Sequence, residues 1–111
     1  MEDCVFCNIV NKKLVKEFLY EDEFVVVFRD ILPKAPIHLL VVSKKHIPSV
    51  AALEEGDKEL MGDMLLVAKQ MAEKFGIGET GYKLVFNVGR DGGQVIPHLH
   101  LHVLGGKQMA E

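Results

Sequence analysis

The chain has 111 residues, 49% of them hydrophobic and 26% charged, the make-up of one small globular domain spanning 1–111. A formal net charge of -3 without a basic stripe excludes a nucleic-acid backbone as the expected partner. No apolar run approaches the ~20 residues that cross a bilayer, and the N-terminus lacks a secretory pattern, so no membrane partner and a cytoplasmic location are expected.

In chain order, Cys4 to about Lys13 reads as a short helix with Val5, Phe6, Ile9 and Val10 on one side. Phe18 to Glu21 suggests a short strand. Phe24 to Phe28 and Ile37 to Val42 are β-branched and aromatic-rich runs bounded by turn residues, the pattern of strands. From Asp57 to Phe75, Leu60, Met61, Met64, Leu65, Ala68, Met71, Ala72 and Phe75 recur at helical steps, and Gly76 stands where a capping glycine would. Tyr82 to Asn87 and His98 to Leu104 supply two further strands around a glycine-rich segment. The predicted fold is α+β: a mostly antiparallel five-stranded sheet, one long helix and a short N-terminal helix. A domain this small also gains from burying surface against a second copy, which favours a homodimer.

Three of the five histidines fall within five residues, His98, His100 and His102, alternating with Leu99, Leu101 and Val103. A strand would turn the imidazoles to one face and the apolar residues to the other. Residues sharing a face lie ~6.6 Å apart along a strand, so His98 and His102 stand ~13 Å apart at the backbone, too far for one metal to take all three. An extended phosphate-bearing ligand fits the row better. Histidine, with an unperturbed pKa near 6.5, attacks as a free base at one position and serves as a donor at another. The central residue, His100, is best placed to attack phosphorus. Gly92 and Gly93 allow loop amides to point at phosphate oxygens, and Asn87 can donate from its carboxamide.

His38 lies within an apolar strand, either as a buried satisfied histidine or as a fourth histidine that orients the nucleophile. Asp30 follows a strand, either as a turn carboxylate or as an acceptor for ribose hydroxyls. Val5, Phe6, Ile9 and Ile31 are core residues or base-pocket residues. Cys4 and Cys7 form a C-x-x-C, which outside an oxidising compartment reads as half a metal site or as a redox pair, the latter wanting a preceding strand. A tetrahedral structural zinc needs two more ligands, for which His46 and His98 are the best candidates. The alternative is two small buried thiols.

The segment His98 to Leu104 resembles the defining motif of the histidine triad family, and the similarity to its Hint-like branch extends over CVFCNIV, FRDILPKAPIHLLVVSKKHI, NVGRDGGQ and HVLGGKQM. The resemblance implies a homodimer whose sheets join, with the long helix and neighbouring strand at the interface, and a purine nucleotide site for an AMP or GMP moiety. It implies that His100 attacks the α-phosphorus to give a nucleotidyl-histidine that water hydrolyses. His102 would contact phosphate or leaving group, and His38 and His98 would orient and polarise the nucleophile. Asp30 would hold the ribose; Phe6, Ile9, Phe28 and Ile31 would form the base pocket; Asn87 and Gly93 would contact phosphate. It also implies zinc on Cys4, Cys7 and two histidines, with no catalytic cofactor.

Two departures stand out. Hint-like chains usually carry a serine after Gly-Gly-Gln, where this one has Val95. Losing a hydrogen bond to a charged oxygen or departing group costs roughly 1.5–3 kcal/mol, which predicts slower phosphoramidate hydrolysis. The Trp-Pro-Pro-type tail of several relatives has no counterpart before Glu111. The leading expectation is a purine nucleoside phosphoramidate hydrolase acting on such compounds or on related nucleotide esters and anhydrides. The alternatives are a nucleotide- or partner-binding dimer with vestigial catalysis, which Val95 favours, and a zinc protein whose histidine and cysteine chemistry is wholly structural.

Overall fold

The computed structural model describes residues 4–111. Among these, α1 spans Val5–Val10, β1 Tyr20–Glu21, β2 Val25–Arg29, β3 Ile37–Ser43, α2 Lys58–Lys74, β4 Tyr82–Val85 and β5 His100–Gly105. The strands form one five-stranded sheet in the order β1-β2-β3-β5-β4, antiparallel throughout. This is the predicted α+β architecture.

Helices lie on both faces of the sheet, which is why β2 and β3 read as continuous apolar runs rather than alternating ones. On one face, Val25, Val27, Leu39, Val41, Leu101 and Val103 pack against Leu60, Met64, Val67, Ala68 and Met71 of α2. On the other, Val26, Phe28, Leu40 and Val42 pack against Phe6 and Ile9 of α1. The β3–β5 register pairs Leu40 with His102 and Val42 with His100. Paired residues share a face, so the two strand histidines lie on the α1 side.

Local chemistry sets the element ends. Glu54 and Asp57 form a reciprocal capping box just ahead of α2, in which the Glu54 N–H donates to Asp57 Oδ2 at 2.9 Å. Beyond Lys74, the Ile77 N–H donates to the Ala72 carbonyl and the Gly76 N–H to Glu73, with Gly76 at φ +80°. This is the paired bonding of a left-handed helix stop, and it requires that glycine.

Several boundaries differ from the sequence reading. α1 stops at Val10 rather than near Lys13, because Lys12 adopts φ 63° and the N–H groups of Lys13 and Leu14 both donate to the Asn8 carbonyl. The strand expected from Phe18 begins at Tyr20, and the one expected to reach Asn87 ends at Val85. Most consequential, β5 begins at His100 and not at His98. The Leu99 N–H donates to Ile47 and its carbonyl accepts from Ser43, so the chain at Leu99 pairs with the end of β3 and the segment leaving it, while the His98 N–H turns back to the Ile96 carbonyl.

Leu101 is 1% exposed at the centre of the α2-side core. Leu101→Ala removes packing shared by the sheet and α2 and is expected to destabilise the fold by about 2–5 kcal/mol, read as a lower urea midpoint at unchanged slope.

Candidate functional site

The face of the sheet under α1 carries the chemistry. His38 comes from β3, His100 and His102 come from β5, and the backbone hydrogen bonds of each ring decide its tautomer. His100 Nδ1 lies 2.6 Å from the His98 carbonyl. A carbonyl only accepts, so Nδ1 carries the proton and the neutral ring keeps its lone pair on Nε2. His38 Nδ1 accepts from the Lys34 N–H at 3.1 Å, which places the His38 proton on Nε2. That Nε2 stands 2.9 Å from His102 Nδ1 and 3.4 Å from Asp30 Oδ2. His102 therefore accepts at Nδ1 and presents an N–H at Nε2.

Burial, reinforced by the neighbouring His100 and His38, pushes the His102 pKa down to about 4. Burial likewise lowers His38, with the Asp30 carboxylate opposing it. Both rings are neutral at pH 7, as the tautomer chain requires. The residues expected to orient the nucleophile divide differently from the sequence reading: His38 holds His102, while His98 holds His100 through its main-chain carbonyl rather than its ring.

A cavity opens beside His100 and His102, and every residue of the expected nucleotide set lines it. Phe6 and Ile9 come from α1, Phe28 from β2, and Asp30 and Ile31 from the turn after it. Asn87, Gly93 and Val95 come from the loop between β4 and β5. The Phe6 and Phe28 rings meet edge to face with centroids 5.6 Å apart, an apolar aromatic corner that can receive a heterocycle. Ile31, at 77% exposure, forms rim rather than wall. Asp30 is the turn carboxylate of the first sequence reading, its Oδ1 accepting from the Leu32 N–H at 2.9 Å, and it also lines the cavity.

The glycine loop commits two of its amides within itself. The Gly93 amide donates to Arg90 and the Gln94 amide to Gly89, so neither points outward to an anion. Gly93 supplies a positive φ of 78°, and Gly92 is required because a Cβ there would collide with the Val88 carbonyl. Asn87 Nδ2 braces this loop through the Gly92 carbonyl at 2.8 Å and keeps its second N–H. The cations of the cavity are Lys16, Arg29 and Lys34, none of which the sequence reading singled out. Each is an ordinary lysine or arginine in sequence, and only the fold gathers them.

His98 itself belongs to a second cluster. Its Nε2 lies 2.7 Å from the Ser43 carbonyl and so carries the proton, leaving the Nδ1 lone pair facing Cys4 and Cys7. His98 Nδ1 is 3.2 Å from Cys4 Sγ, 3.5 Å from Cys7 Sγ and 3.2 Å from His46 Nδ1, and Cys7 Sγ is 3.1 Å from His46 Nδ1. Ligand atoms bound tetrahedrally at ~2.0 Å for nitrogen and ~2.3 Å for sulfur stand ~3.3 to ~3.8 Å from one another. The four groups fit a metal ion, and they are the four named from sequence. Among the described residues, no helix is long and apolar enough to cross a membrane.

Residues 3–111 match the family described as scavenger mRNA decapping enzyme C-terminal binding. The chain is 38% identical to the purine nucleoside phosphoramidase of Escherichia coli K12 over 108 residues, covering 97% of this chain and 91% of that protein. Among solved structures, a HIT family hydrolase from Legionella pneumophila superposes with TM-score 0.95 at 44% identity, over 97% of this chain and 96% of that one. A HIT family hydrolase from Clostridium thermocellum gives TM-score 0.96 at 41% identity, over 100% and 96%. Sequence, fold and the paired histidines of β5 agree: the chain belongs to the histidine triad family and is a nucleotide hydrolase of that family.

Proposed function

We propose that this protein hydrolyses purine nucleoside phosphoramidates in two steps through a nucleotidyl group carried on His100. The observation that carries the reading is the His98 carbonyl bonded to His100 Nδ1, which commits the His100 lone pair to Nε2 in a residue lining the nucleotide cavity. A purine stacks within the Phe6, Ile9 and Phe28 wall, the ribose lies by Asp30, and the phosphate lies by Lys16, Lys34 and Asn87. His100 Nε2 attacks phosphorus, and the P–N electron pair leaves on nitrogen, which takes a proton from water as the amine departs. The His102 Nε2–H donates to a phosphoryl oxygen and stabilises charge that grows in the transition state. Water then attacks phosphorus, releasing the nucleoside monophosphate and returning the lone pair to His100. The named activity of the Escherichia coli relative supports both the purine and the P–N bond.

The Cys4, Cys7, His46 and His98 set would hold zinc in a closed site with no position left for substrate, so the metal's contribution is structural. It would tie α1, and with it Phe6 and Ile9, to the start of β5. Two chains would pair through the outer face of α2, where Leu65 and Leu66 are exposed, and through the uncovered edge strand β4 with Leu84. An edge strand and an apolar helix face on the same side suit a two-fold joint that continues the sheet.

Incubation with adenosine 5′-phosphoramidate followed by rapid denaturation at alkaline pH, where a P–N bond to imidazole survives, is expected to show one added adenylyl group by intact mass, absent in His100→Ala. The variant should lose at least about a thousandfold in kcat/KM, as loss of a covalent nucleophile does. Binding of AMP without turnover by the parent would replace the hydrolase reading with a binding module. Untagged protein should contain one zinc per chain. Cys7→Ser should lose it and melt lower by more than the ~4–8 °C that corresponds to ~1 kcal/mol in a domain of this size; unchanged zinc content would remove the site. Leu66→Asp should convert a sedimenting dimer to monomer, and a monomeric parent would overturn the pairing.

A further inference from the structure

A groove adjoins the nucleotide cavity on the side away from the base wall. Val5, Pro48, Val95, Ile96 and Pro97 line it, together with Cys4 and His46 of the metal cluster. Val5, Val95 and Ile96 also line the His100 cavity, so the two spaces share a wall. A substituent on the phosphorus of a bound nucleotide can pass over that wall from one to the other.

The groove is tied together by the fold. Gln94 Nε2 donates to the Pro48 carbonyl at 2.7 Å and to the Ile96 carbonyl at 2.9 Å. Its Oε1 accepts from the Gly89 N–H at 2.9 Å. One side chain therefore spans both sides of the groove, and the thiol and imidazole of Cys4 and His46 meet in the metal cluster beneath the same segments. No lysine, arginine or carboxylate lines it. Val95 stands 88% exposed at the junction and Val5 39%, two apolar side chains with no packing partner sufficient to cover them. A preformed apolar trough leading from a reaction centre takes an apolar group attached to the reacting atom.

We propose that this groove is the leaving-group subsite, and that it selects phosphoramidates of apolar alkyl or aryl amines over those whose amine carries a distal cation. The inference rests on the phosphoramidate reading above and specifies its substrate class. The chemical step is the same: the P–N bond breaks with its electron pair on nitrogen, a proton comes from water, and the free amine leaves along the groove. Each methylene moved from water onto apolar surface is worth about a factor of three to four when fully buried. An open groove that half covers a short chain is expected to give about tenfold in all.

The full-length, metal-loaded protein would be assayed on adenosine 5′-phosphoramidates bearing no substituent, N-hexyl, or the nearly isosteric N-(5-aminopentyl) group. The hexyl compound should exceed the aminopentyl compound about tenfold in kcat/KM. Pro48→Glu, which places a carboxylate in the groove but outside the nucleotide cavity, should bring that ratio to one or below while leaving the unsubstituted compound at the parental rate. Val95→Asp, read only by the same ratio, serves if Pro48→Glu does not fold. Turnover of the unsubstituted compound with equal hexyl and aminopentyl rates, or a ratio that neither carboxylate alters, overturns the groove assignment and leaves the hydrolase reading standing. No turnover of any of the three overturns both.

Discussion

His98 makes three separate commitments, and the rest of the site hangs from them. Its ring N–H goes to the Ser43 carbonyl, its ring lone pair goes to the two thiols and His46, and its main-chain carbonyl takes the His100 N–H. The first fixes the second, because a neutral imidazole has one donor and one acceptor. The third leaves the His100 lone pair on Nε2. A single buried residue thus joins the cysteine–histidine cluster beside α1 to the hydrogen bond that sets the tautomer of His100. The arrangement is available because His98 precedes β5: its own N–H donates to the Ile96 carbonyl, and the main chain pairs with Ile47 and Ser43 only from Leu99.

The β3–β5 register sets the second half of the site. Leu40 opposite His102 and Val42 opposite His100 put the paired histidines over a fully buried apolar layer, and His38, two residues before Leu40, falls on the same face. Desolvation there keeps His38 and His102 neutral at pH 7, so the chain from the Lys34 amide through His38 to His102 ends in an N–H aimed outward. A protonated His102 would lose the acceptor that His38 bonds, and the order of the chain with it. The apolar layer therefore governs protonation as much as folding, and the bland reading of His38 as a buried, satisfied histidine is the physical means of its positioning role.

Residue types with few alternative uses were legible in the sequence. Alternation placed His100 and His102 together, and the demand of a C-x-x-C for two further ligands pointed to His46 and His98. The α2 periodicity and Gly76 located the long helix to within a residue at each end. What could not be read was set by pairings between distant segments. That β5 starts at His100 depends on bonds from Leu99 to Ile47 and Ser43, which no local pattern announces. The commitment of the Gly93 and Gln94 amides within their own loop is equally invisible, since a glycine-rich segment looks alike whether its amides face inward or out. Lys16, Arg29 and Lys34 reach the cavity from three segments, and surface lysines have no periodicity that marks them.

Val95 shows how the meaning of a residue changes when its surroundings are known. In sequence it is a missing hydroxyl, and the consequence is a lost hydrogen bond. In the fold it is an exposed apolar side chain on the wall between the nucleotide cavity and a groove whose other walls are Val5, Pro48, Ile96 and Pro97 together with Cys4 and His46. A serine at that position would offer one polar group to whatever leaves the phosphorus. A valine keeps the wall shared with Val5 and Ile96 apolar, and on the proposed assignment the departing group is judged by how well it tolerates leaving water. On the proposed reaction, the substitution alters which amine is released more than whether His100 can release it, because the bond that sets the His100 lone pair runs to the His98 carbonyl and does not involve Val95.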